Sequence, residues 1–66
     1  MSNKGTGLTV SIRELLRNEP LTLVQISEKL PQYLYLRVAV VLGRLVYKGE
    51  LEHPKYGGVY KLRNYV

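Results

Sequence analysis

The chain has 66 residues, 45% of them hydrophobic, with no cysteine and ten lysines and arginines against five acidic residues, a net charge of +5. This length holds one small domain with one core, and the missing cysteine excludes disulfides and thiolate metal sites. No apolar run nears the roughly 18 residues of a membrane span, no signal-peptide pattern opens the chain, and the basic balance favours a polyanionic partner.

Residues 1–8, with two glycines and small polar side chains, read as a flexible tail, and residues 9–66 as the folded domain. Ser11-Ile12-Arg13-Glu14 has the spacing of a capping box and predicts a first helix starting near Ser11. Its apolar face is Ile12, Leu15 and Leu16, and Asn18-Glu19-Pro20 ends it, because the residue before a proline is pushed out of helical geometry. Leu21 reads as a very short strand. Thr22-Leu23-Val24-Gln25 is a second capping box and opens a helix running to about Leu30, with Leu23, Ile26 and Leu30 on its buried face. Pro31 stops it. A third helix begins near Tyr33 or Leu34 and ends at Gly49, a residue suited to a left-handed cap. Val38, Leu42 and Leu45 share one sector of that helix, with Leu34 and Val41 beside them.

After Gly49 the pattern changes from helical to alternating. Leu51 faces inward between Glu50 and Glu52, His53 to Gly58 supply turn residues, and Val59-Tyr60-Lys61-Leu62 alternates again. A turn at Pro54 to Gly57 predicts a hairpin with Leu51 opposite Tyr60 and Glu50 opposite Lys61. The expected class is therefore α+β: three helices, a very short strand near Leu21 and a C-terminal β-hairpin.

In that order the chain resembles a winged helix-turn-helix domain of the small transcription-regulator type. The resemblance is carried by Thr22-Leu23-Val24-Gln25-Ile26-Ser27-Glu28-Lys29-Leu30, then Leu42-Gly43-Arg44-Leu45, Lys48-Gly49-Glu50-Leu51 and Val59-Tyr60-Lys61-Leu62. With the first helix it covers nearly everything after residue 8. One departure is the turn Pro31-Gln32-Tyr33-Leu34, about one residue longer than usual and without the common Ser/Thr cap. The resemblance implies a regulator of transcription, homodimeric on matched half-sites. Its third helix enters the major groove of double-stranded DNA, and its hairpin wing touches the backbone or minor groove. Arg37, Arg44 and Lys48, on one flank of the third helix, are then the nucleic-acid contacts, with Gln32 and Tyr35 at its start. Lys55 and Tyr56 at the wing tip, with Lys61 and Arg63 on its outward side, complete the candidate set. Arg13 and Arg17 read as a solvated helix face.

The side of the third helix opposite the core carries Leu36, Val40, Gly43 and Tyr47, an apolar stripe where polar side chains are usual. Three readings are open: contact with thymine methyl groups, a protein interface such as a dimer contact through Leu36, Val40 and Tyr47, or a helix rotated or covered by the tail. One histidine with no aspartate or cysteine builds no hydrolytic triad, carboxylate dyad or metal cluster, so no enzyme, cofactor or small-molecule substrate is expected. His53 reads as a surface or half-buried strand residue. Two other functions compete with DNA binding. One is an RNA- or ribosome-associated winged helix, loosely similar to a small-subunit ribosomal protein family but without its lysine-rich N-terminal extension. The other is a protein-interaction module. The expected setting is cytoplasmic.

Overall fold

The computed structural model describes residues 7–54 and 57–63. Their order is α1 (Gly7–Asn18), β1 (Leu21–Thr22), α2 (Leu23–Lys29), α3 (Tyr35–Lys48), β2 (Leu51–Glu52) and β3 (Val59–Leu62). Three helices pack with a three-stranded antiparallel sheet in the order β1-β3-β2, so the last strand lies at the centre. No helix among the described residues is long and apolar enough to cross a membrane.

Helix α1 begins at Gly7, four residues before the start predicted at Ser11. Ser11 lies inside the helix, and Gly7 and Leu8, assigned on sequence to the tail, belong to it. The physical reason is the apolar repeat: Leu8, Ile12 and Leu16 recur every four residues and are all buried, so the core-facing stripe begins upstream of Ser11. The predicted end is where it should be, with the Glu19 amide bonded to the Leu15 carbonyl and Pro20 next.

The capping box of α2 forms as expected. The Gln25 amide donates to Thr22 Oγ1 at 3.2 Å, and the Thr22 amide donates to Gln25 Oε1 at 2.9 Å. Ile26 is fully buried and Leu30 nearly so, while Leu23 packs at the core edge.

Helix α3 starts at Tyr35 rather than at Tyr33 or Leu34. Tyr33 belongs to the preceding turn and packs against the core. A Cβ placed on Gly7 would come 3.2 Å from the Tyr33 hydroxyl, so this turn closes over the start of α1. Leu34 is the N-cap residue in extended geometry, and its carbonyl accepts from the Arg37 and Val38 amides. Its side chain is 78% exposed, which removes it from the predicted core sector. Val38, Leu42 and Leu45 are buried as predicted. At the other end Gly49 is left-handed (φ 87°), and the Glu50 amide reaches the Leu45 carbonyl at 2.9 Å while the Gly49 amide reaches Val46 at 3.0 Å. This paired closure satisfies the last carbonyls and needs a residue without a Cβ penalty.

The hairpin register differs from the predicted one by two residues. Leu51 lies opposite Leu62 and Glu52 opposite Lys61, while Tyr60 faces Leu21 of β1. The connection between β2 and β3 therefore spans residues 53–58, longer than the turn predicted at Pro54 to Gly57. Gly57 and Gly58 both have positive φ and turn the chain back into β3. A two-residue slip preserves the side-chain alternation, so Leu51, Tyr60 and Leu62 still face the core. Six more buried residues, Leu8, Ile12 and Leu16 of α1, Leu21 of β1, Ile26 of α2 and Leu30 just after it, join Val38, Leu42, Leu45 and Leu51 around one centre, with no buried polar side chain among the described residues.

Candidate functional site

Charge is sorted along the chain. The five acidic residues are Glu14, Glu19, Glu28, Glu50 and Glu52, so neither α3 nor β3 carries one. Two of them neutralise α1. Arg13 donates through Nε and Nη2 to one carboxylate oxygen of Glu50, at 3.0 and 2.5 Å, and Arg17 pairs with Glu14 at 3.4 Å. Arg13 thus ties α1 to the segment after α3, and Arg17 lies on an exposed face.

The basic side chains of α3 have a different environment. At 100° per residue Arg37, Arg44 and Lys48 fall within about 40° of one another, on a single flank. None forms an ion pair with a described residue. Arg44 and Lys48 line a groove of about 300 Å³ between α1 and α3, with Thr9, Val10, Arg13, Val41 and Leu45 as its other walls. Thr9 and Val10 were not singled out from the sequence, because their place beside Arg44 depends on how α1 packs across α3.

The outward stripe is exposed as predicted. Leu36 is 74%, Val40 52% and Tyr47 93% exposed, and Tyr35 beside them is 47% exposed. Gly43 lies between Val40 and Tyr47, and a Cβ built there meets nothing within 4 Å. Its lack of a side chain therefore serves no packing within the described fold, although glycine inside a helix is less favourable than alanine by about 0.8–1 kcal/mol. Gly43→Ala is expected to raise the melting temperature by about 4–8 °C in a thermal circular-dichroism scan. An unchanged or lowered value would show that the position is not open.

On the far side of the stripe Gly43, Val46 and Tyr47 face His53, Pro54 and Tyr60 across a mainly apolar groove of about 380 Å³. His53, with Nδ1 3.1 Å from the Pro54 carbonyl oxygen, is an exposed wall of this groove. Tyr60 contributes to both core and groove. The sequence pattern marked Tyr60 as core but held no signal for the groove, which joins residues from α3 and the hairpin.

The hairpin's basic residues are not gathered with those of α3. Lys61 and Arg63 are exposed, and by strand alternation Lys61 stands on the sheet face opposite Tyr60 and Leu62. Lys61 also faces Glu52 across the β2–β3 ladder, which offsets part of its charge. Gln32 is exposed in the turn before α3. Lys55 and Tyr56 lie outside the described residues. No group of three histidine, cysteine or acidic side chains that could hold a metal occurs among the described residues. Comparison of the chain with protein-family models, curated proteins and solved structures found no match.

Proposed function

We propose that this protein is a winged-helix domain that binds double-stranded DNA through α3, acting in transcription regulation. The observation that carries the reading is the acid-free exposed surface of α3, with Arg37, Arg44 and Lys48 aligned on one flank and outside any ion pair among the described residues. A helix of 14 residues is about 21 Å long, and a major groove about 12 Å wide admits it. Arg37 and Arg44 are seven residues apart, about 10.5 Å along the axis, and their side chains reach phosphates along one groove edge. The capping box and β1 fix α2 behind α3, and the β2–β3 hairpin takes the part of the wing. Lys61 and Arg63 are secondary contacts, because they stand on the outer sheet face.

The test is a fluorescence-anisotropy titration of duplex DNA at several salt concentrations. If the three α3 cations each neutralise a phosphate, log K falls with log[salt] at a slope near −2.7, and near −4.5 if Lys61 and Arg63 join them. Between 50 and 200 mM salt the affinity then drops by roughly forty- to five-hundredfold. A slope near zero, or tighter binding to a structured RNA competitor, would overturn the proposal.

A further inference from the structure

We infer that the outward face of α3 selects DNA by the C5-methyl groups of its pyrimidines, so that thymine- or 5-methylcytosine-bearing duplexes are its ligands. This rests on the DNA-binding reading and specifies what that surface recognises. Leu36, Val40 and Tyr47 lie within about 40° on the helix and are all more than half exposed. Helix α3 contains no Asn, Gln, Asp, Glu, Ser or Thr, so the side chains that usually pair with adenine or cytosine edges are missing. On the stripe itself only the Tyr47 hydroxyl can form a hydrogen bond. The one apolar group that a B-form major groove displays is the pyrimidine C5-methyl. Gly43, with open space where a Cβ would stand, lets the helix backbone approach the base edges at the middle of the stripe.

Charge decides between occupants. Arg37, Arg44 and Lys48 border the stripe and no carboxylate lies on α3, so a second copy docked face to face would set like charges together. A polyanion gains from the same border. Each methyl group buried against the stripe is expected to strengthen binding about fourfold.

The experiment compares 24-base-pair alternating duplexes that differ only in methyl groups: A·T against A·U, and G·C against G·5-methylcytosine. The expected result is binding about tenfold or more tighter for the methylated member of each pair. In the Leu36→Ala/Val40→Ala variant both ratios should fall toward one while the salt slope stays unchanged. Both replaced residues are exposed, and a circular-dichroism spectrum confirms the fold. Equal affinity within both pairs, with salt-dependent binding retained, overturns the methyl inference, leaves DNA binding standing and assigns the stripe to a protein partner. Methyl ratios that persist in the double variant also overturn it. Failure to bind any duplex overturns the proposed function together with the inference.

Discussion

Replacing Arg37 and Arg44 together by glutamate is expected to weaken duplex binding about a thousandfold at 0.1 M salt while leaving the fold intact. At that concentration each phosphate contact contributes close to one logarithmic unit, about eightfold, through counterion release, so losing two costs roughly sixtyfold. The two new carboxylates then face phosphates, and their repulsion supplies the rest. The salt slope should become shallower by about 1.8. Both arginines are exposed and outside any ion pair among the described residues, so the melting temperature should move little. Position can be separated from net charge with single variants. Arg44→Glu and Arg17→Glu change the total charge equally, but Arg17 lies on α1 beside Glu14. At a Debye length of about 10 Å its reversal should cost only a few-fold. Equal losses from the two singles would mean that α3 does not hold the DNA.

The parts of this fold that could be read from sequence are those fixed by local chemistry. The Thr22/Gln25 box needs only the spacing of two side chains, and Gly49 needs only a backbone free to turn left-handed. The buried sector Val38, Leu42 and Leu45 follows from helical periodicity. Where local signals conflicted, packing decided. Ser11 and Glu14 have a capping spacing, but the Leu8–Ile12–Leu16 repeat buries more surface and draws the helix start to Gly7. The hairpin register was set by β3 lying between two partners, since Tyr60 meets Leu21 on one edge as Leu62 meets Leu51 on the other. Alternation repeats every two residues, so it cannot choose between registers two residues apart, and partner strands of two residues add no other signal. In the candidate site the Arg37/Arg44/Lys48 flank and the exposed stripe were legible, because both lie on one helix. The two grooves beside α3 were not, because each is made by elements distant in sequence.

The second large effect concerns the core that holds α3 in place. Leu42→Ala is expected to lower the melting temperature by about 10–30 °C, whereas Leu36→Ala, on the opposite face of the same helix, should shift it by only a few degrees. Leu42 is fully buried at the centre of the cluster, where its loss leaves a cavity as well as unburied neighbours and costs about 2–5 kcal/mol. A domain of 66 residues has only about 3–10 kcal/mol of stability in total. Leu36, 74% exposed, loses little by truncation, and alanine favours the helix. Thermal denaturation of the two variants beside the parent protein checks both halves of the contrast. A similar loss from each would mean that the outward stripe is covered in the folded protein, and so is not free to meet a groove of DNA. A small loss from Leu42→Ala alone would place the core elsewhere. With the expected contrast, the two faces of α3 have separate tasks: Leu42 and its neighbours hold the helix, and Leu36 and Val40 remain free for the ligand.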